Sequence, residues 1–290
     1  LLIDKQSALQ HSESSFKIKA MIDKINQRIW VSDYSFTDIP AFSEFLFKNA
    51  AKFSAQKIII PAREKDLEPL KEQGFILEGR AEGFLNGKTA YFMAAYPEPN
   101  RQYSPHLKKK MSELQKILSL PVKPAGKIPE GYTFRDAGPG DAPALAELFG
   151  KIFSTYPTPL DKESYILKLM KNSTIFRLAV HNNVIAAAGA AEMDMENSNA
   201  EMTNCATLPE HRGKGLMSII IQDLEHAAAK RGIKCLYSLS RSSELGINLI
   251  FHRMGYTYSG TLINNCHICS TWEDMHLWVK ATFMDKPLPN

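Results

Sequence analysis

Residues 200–217 read AEMTNCATLPEHRGKGLM, and the layout of the rest of the chain turns on what happens at their centre. The stretch NAEMTNCATL has the pattern of a strand, and LMSIIIQDLEHAAAKRG has that of a helix. Between them lie Gly213 and Gly215, flanked by Arg212 and Lys214. Two glycines open the backbone angles and let a ligand approach without a Cβ in the way, while a helix starting near Leu216 leaves its first N–H groups unpaired. Donors converging on one point beside two cations make an anion site, suited to a pyrophosphate. The stretch has no G-x-x-x-x-G-K-[ST] and is too short for the dinucleotide fingerprint. On these residues alone, an ordinary glycine-rich loop is the competing reading.

Around the bend, the C-terminal unit (about 130–285) reads β-α-α-β-β-β-α-β-α-β-β, from YTFRDA through GDAPALAELFGKIF and DKESYILKLMKN to YTYSGTLIN and DMHLWVKA. That order predicts a mixed, mostly antiparallel sheet flanked by helices, of the α/β (α+β) class. An N-terminal unit (about 1–100) runs strand, helix, strand, helix, strand, strand from QRIWVSDY to TAYFMAAY and repeats the second half of that order. Gly74-Phe75 with Gly79 matches Gly255-Tyr256 with Gly260, but SFTD stands where the glycine bend would be. Residues 101–129 read as a linker holding one short helix, with Leu107, Met111, Leu114, Ile117 and Leu118 on its apolar face.

Composition excludes several function classes. With 44% apolar residues the chain can build packed cores, and 35 basic against 31 acidic residues leave a net charge of only +4. The longest basic run is HLKKK at 106–110, so nucleic acid has little electrostatic support as a partner. Apolar runs such as VIAAAGAA fall short of the roughly 20 residues of a membrane span, and LLIDKQSALQHSESS lacks the features of a signal peptide. A cytoplasmic protein that uses neither membrane nor nucleic acid is expected, and the sequence leaves a homodimer open. Of Cys205, Cys235, Cys266 and Cys269, only the last two have metal-like spacing, and one C-x-x-C without a second pair predicts no metal.

The 200–217 stretch, with the element order around it, resembles the central signature of the GNAT superfamily of acetyl-CoA-dependent N-acetyltransferases over residues 130–280. The superfamily's [QR]-x-x-G-x-[GA] loop is matched from Arg212 to Gly215, with Met217 in place of the final Gly or Ala. The resemblance implies acetyl-CoA as cosubstrate: the backbone of Cys205, Ala206 and Thr207 would pair with the pantetheine arm and thioester carbonyl. The N–H groups of Gly213, Lys214, Gly215, Leu216 and Met217 would take the pyrophosphate.

Acetyl transfer needs an uncharged amine, and an alkylammonium has a pKa near 10.4, so a general base helps. AEMTNCA resembles the strand carrying the catalytic glutamate in histone-type enzymes of the superfamily, which implies Glu201 as base with Glu192 second; a solvated strand carboxylate is the alternative for each. Many members protonate the leaving thiolate with a tyrosine four residues before the G-[FY] pair, where this chain has Phe251. His252 or a water is the substitute open to it.

The run SLSRSSELGINLIFHRMGYTYSGTLINNCHICSTWEDMHLWVK, with the half-copy ahead of it, resembles the β-lysine N-acetyltransferases, which acetylate the terminal amine of β-lysine to give the compatible solute Nε-acetyl-β-lysine. On that resemblance Arg241 would pair with the substrate carboxylate, and Asn248, Asn264, Asn265 and Glu273 would orient the amines. Asparagines in a turn are the competing reading for 264 and 265. A polyamine or other small-amine acetyltransferase, a protein acetyltransferase and a non-catalytic acyl-CoA sensor remain alternatives.

Overall fold

The computed structural model describes residues 6–153, 158–268 and 270–282. In the N-terminal half the elements are β1 (Gln6–Ser12), β2 (Phe16–Asp23), β3 (Arg28–Phe36), α1 (Ile39–Phe53), β4 (Lys57–Ala62), α2 (Leu67–Glu72), β5 (Ile76–Leu85) and β6 (Lys88–Ala95). After α3 (Leu107–Leu118) come β7 (Tyr132–Asp136), α4 (Ala142–Ile152), α5 (Glu163–Lys171), β8 (Thr174–His181), β9 (Val184–Asp194) and β10 (Asn199–Thr207). The chain continues through α6 (Leu216–Ala229), β11 (Cys235–Arg241), α7 (Leu245–Arg253), β12 (Thr257–Ile268) and β13 (Thr271–Ala281). The order expected from β7 onward is the order found.

All thirteen strands form one sheet, ordered β1-β2-β3-β4-β6-β5-β12-β13-β11-β10-β9-β8-β7. From its centre outward the arrangement repeats: β3, α1, β4, α2, β5, β6 on one side correspond to β10, α6, β11, α7, β12, β13 on the other. Pairing is antiparallel except between β3 and β4 and between β10 and β11. The halves meet where Gly79 pairs with Gly260, the two glycines of the repeated motif. A Cβ on Gly260 would lie 2.2 Å from the Glu78 carbonyl oxygen and 2.4 Å from the Gly79 Cα, so no other residue fits there unless the backbone moves.

Helix α1 shows how a half is built. Asp38 caps it by accepting from the Ala41 N–H at 3.0 Å, and Phe42, Leu46 and Ala50, one helical turn apart, are fully buried against β2, β3 and β4. Helix α6 lies on β9, whose alanine run thins the strand so that helices close in on both faces: Ala187 and Ala191 face the core with α6, and Ala188 and Ala190 face the core with α4. Gly189 is smaller still, since a Cβ there would meet Ile220 Cγ2 at 2.9 Å and Met217 Sδ at 3.5 Å. Met217 is therefore accommodated, its bulk taken up by the missing side chain opposite.

Two features differ from the sequence reading. The hairpin β1–β2 is additional, although Phe16, Ile18, Ala20 and Ile22 alternate inward as a strand requires. Residues 101–129 carry the expected helix but do not behave as a free linker. Leu114 and Ile117 are buried in the C-terminal core, Lys110 Nζ and Ser104 Oγ reach Asp274 Oδ2 at 3.0 and 2.5 Å, and the Lys123 N–H donates to the Arg253 carbonyl at 2.9 Å. A fourth core, containing Ile59, Phe84 and Phe92 from the first half and Leu262, Met275 and Leu277 from the second, is shared by both.

Candidate active site

Two parallel strands that part company leave unpaired backbone and space between them. β10 and β11 pair only at Asn199–Glu201 with Cys235–Tyr237, then diverge. Beyond Glu201 a bulge between Thr203 and Ala206, with Asn204 at φ 53°, twists β10 further. The gap widens into a cavity of about 1440 Å³ that takes in the glycine bend at one end and residues of β2 and β3 at the other.

At the bend, Gly213 and Gly215 have φ of 77° and 76°, and the direction a Cβ would take from each is open for 4 Å. Gly215 stands at the N-cap of α6, where no side chain caps the helix and the first turn carries no acidic residue. Uncapped N–H groups, an aligned helix dipole and the exposed Arg212 and Lys214 fit a pyrophosphate. Lys214 Nζ donates to Tyr132 Oη at 2.9 Å, which steadies the loop against β7. Cys205 and Thr207 line the same cavity; Ala206, buried in the α4-side core, can offer only its backbone.

The matching splay in the N-terminal half is closed. Tyr34 Oη donates to Asp66 Oδ2 at 2.7 Å, and Arg63 Nη1 donates to the Tyr34 carbonyl at 3.0 Å, tying β3 to the chain after β4. There the helix start is occupied by the Asp38 carboxylate, which would repel an anion. One splay is open and the other is filled.

Glu201 and Glu192 face each other directly across β10 and β9 and share the cavity. Burial first, and the neighbouring Glu192 second, push the Glu201 carboxyl up to about 8, while Arg28, the Leu239 N–H and the Tyr237 side chain pull against this. Burial also raises Glu192, whose Oε1 accepts from Asn204 Nδ2 at 2.9 Å. The asparagine at the bulge thus holds the second carboxylate beside the first.

The third wall comes from the other half of the molecule. In β12 the bulge between Leu262 and Cys266 turns three consecutive carbonyls toward N-terminal cations. Lys57 Nζ donates to the Ile263 carbonyl at 2.7 Å, Arg101 Nε to that of Asn264 at 3.1 Å, and Arg28 Nη1 to that of Asn265 at 3.1 Å. Lys57 also pairs with Glu78 at 2.8 Å, both side chains being buried; desolvation still draws its ammonium down to about 8.

Several expected substrate contacts are used otherwise. Asn248 is buried and saturated: its Oδ1 accepts from Ser240 Oγ and Trp278 Nε1 at 2.7 and 2.8 Å, and its Nδ2 donates to the carbonyls of Arg241 and Glu244. It binds α7 to the sheet. Asn264, at φ 45°, donates its amide to the Arg101 and Tyr103 carbonyls and anchors the bulge. Glu273 accepts from Arg241 Nη2 at 2.9 Å and from Ser243 Oγ at 3.2 Å. None of these three lines the cavity, because each satisfies its polar groups within the protein; Arg241 and Asn265 do line it. Phe251 reaches the cavity wall, packed edge-on against Tyr256, but His252 turns away, its Nε2 2.7 Å from the Leu120 carbonyl oxygen. Cys269 lies outside the described residues, among which no group of three His, Cys, Asp or Glu could hold a metal ion.

Arg28, Trp30 and Tyr237 also line the site. Nothing local in the sequence marks them, since a basic residue opening a strand reads as a surface group.

The description of the acetyltransferase (GNAT) family matches residues 142–256. Over 261 residues, covering 90% of this chain and 95% of the relative, the sequence is 32% identical to the β-lysine N(6)-acetyltransferase of Methanococcus maripaludis. It is 36% identical over 247 residues to the enzyme of the same name from Methanosarcina mazei, covering 77% of this chain and 90% of that one. A third relative, the N-acetyltransferase YodP of Bacillus subtilis, is 33% identical over 258 residues, covering 89% of this chain and 94% of the other.

Proposed function

Because this chain belongs to the GNAT acetyltransferase family, we propose that its cavity brings acetyl-CoA and β-lysine together and moves the acetyl group to the terminal amine. The observation that carries the reading is the placement of the anion-binding bend and the Glu201–Glu192 pair in one cavity. Coenzyme A brings a pyrophosphate to the N-terminus of α6, and the reactive thioester then lies along β10, where the edge facing β11 has no strand partner beyond Glu201.

Glu201 takes the proton. Transfer from an ammonium of pKa near 10.4 to a carboxyl at about 8 is uphill by roughly 3 kcal/mol, against roughly 8 kcal/mol for an ordinary glutamate. Burial and the neighbouring Glu192 together remove more than half of the proton-transfer cost. The counter-cost is small, since at pH 7 roughly a tenth of Glu201 is already ionised and an arriving ammonium favours more. With Phe251 unable to donate a proton, the thiolate, of ordinary pKa near 8.5, leaves to solvent.

Acetylation removes one positive charge from a molecule with two ammonium groups and one carboxylate. The product is a neutral zwitterion, which suits accumulation as a compatible solute in the cytoplasm. Incubation with acetyl-CoA and β-lysine, read by free thiol release and by mass and NMR assignment of the acetylated nitrogen, tests the reading. Faster turnover of spermidine than of β-lysine would replace it with a polyamine acetyltransferase.

A further inference from the structure

Within the cavity, two polar groups from opposite halves of the chain lie side by side with bonding capacity left over. Arg28 is largely buried: its Nε donates to Asp23 Oδ2 at 3.1 Å and its Nη1 to the Asn265 carbonyl, which leaves Nη2 without a protein partner among the described residues. Asn265 is fully buried and lines the same cavity, and its Oδ1 has no hydrogen-bond partner among the described residues. A buried acceptor left open is costly unless a ligand completes it, and the guanidinium beside it has a donor free to hold the same ligand.

The surrounding charge has a sign. Asp23 pairs with Arg28 and Glu78 with Lys57, whereas Arg101 donates to the carbonyls of Asn26, Gln27 and Asn264 and has no carboxylate partner among the described residues. These three cations beside the β12 bulge therefore exceed their paired carboxylates by one charge. Arg241, by contrast, already has Glu273 at 2.9 Å and Glu244 at 3.4 Å.

We propose that Arg28 and Asn265 form the head-group subsite for a β-amino acid, Arg28 Nη2 binding the carboxylate and Asn265 Oδ1 accepting from the neighbouring β-ammonium. The subsite rests on the acetyl transfer to β-lysine proposed above and gives the N-terminal half a function there: it supplies the carboxylate's cation, while the C-terminal half supplies Asn265 and holds the coenzyme. It transfers the carboxylate role from Arg241 to a residue 213 positions earlier in the chain. With the head fixed at Arg28, the three methylenes of β-lysine carry its terminal nitrogen toward Glu201. α-Lysine spans the same number of carbons from carboxylate to terminal nitrogen but carries its inner ammonium one carbon closer to the carboxylate, away from Asn265 Oδ1, and should bind less well.

The test compares β-lysine with its carboxamide in the full-length protein. Wild type should prefer β-lysine by about 100-fold in kcat/KM. Arg28→Gln should lose about 100-fold more on β-lysine than on the carboxamide, so that the preference collapses whatever common loss the change at Glu201 brings. Asn265→Ala should slow β-lysine but leave 6-aminohexanoate, which lacks the β-amine, within about threefold. Equal losses on β-lysine and its carboxamide in Arg28→Gln would show a merely structural arginine and overturn the subsite while the reaction stands. Failure of the wild type to acetylate β-lysine would overturn the reaction and the subsite with it. If Arg28→Gln does not fold, Arg28→Lys decides: its single donor should cut the preference about tenfold, and an unchanged preference refutes the assignment.

Discussion

Replacing Glu192 by Gln removes a charge opposite Glu201 and almost nothing else, since a Gln Oε1 can still accept from Asn204 Nδ2. Directly opposed residues of an antiparallel pair stand about 5 Å apart at Cα. At roughly 6 Å between carboxylates and an effective dielectric of about 20, their repulsion is about 3 kcal/mol, an upper bound of about two pKa units. The Glu201 carboxyl, at about 8 in the wild type, should therefore fall by one to two units in Glu192→Gln. A general base works when ionised, so its activity rises with pH through its pKa; a lower pKa carries activity to lower pH. The acid limb of kcat/KM for β-lysine should move down by that amount, while the plateau at high pH drops severalfold because the base is weaker. The two curves should cross. Initial rates by thiol release between pH 5.5 and 9.5, with acetyl-CoA saturating, would show it. An acid limb that does not move, or one that persists in Glu201→Gln, would mean that another group takes the proton.

Other outcomes follow from the same geometry. Glu201→Gln should also stabilise the fold at high pH: a carboxyl raised to about 8 favours the native state while protonated and loses that advantage as pH rises through 8, so the gain in Tm should be larger at pH 9 than at pH 5. Gly215→Val should keep the fold, because its Cβ meets open space, yet abolish acetyl-CoA binding in calorimetry by standing where the ligand approaches and straining a left-handed residue. Gly260→Ala should cost about 3 kcal/mol or more in urea unfolding, since the added carbon collides with backbone; a loss under about 1 kcal/mol would refute the close contact of the halves.

What could be read from the sequence was what is local. The glycine bend, the alternation of strands and the apolar face of α3 are written in neighbouring residues, so the C-terminal order and the uncapped bend before α6 were legible. Glu201 and Glu192 were legible as carboxylates on adjacent strands, but not their mutual repulsion, which depends on register. The asparagines at 264 and 265 divide: one anchors a bulge, the other lines the cavity. Arg28, Lys57 and Arg101 were not legible at all, because their partners are carbonyls 237, 206 and 163 residues away. A backbone acceptor leaves no mark on the identity of the residue that carries it.

Those separations also bear on how the chain comes off the ribosome. When Arg101 emerges, the carbonyl that will hold it is 163 residues from being made, which at 5–20 residues per second is roughly 10 to 30 seconds. Through that interval the newborn first half carries β5 as an open edge with no β12 to pair with. Lys57 and Arg28 already have Glu78 and Asp23 within that half, and Arg101 has the carbonyls of Asn26 and Gln27, which leaves one positive charge in excess. That excess charge would repel the half from a neighbouring nascent chain until residues 263–265 arrive, complete the contacts of the three cations and close the sheet.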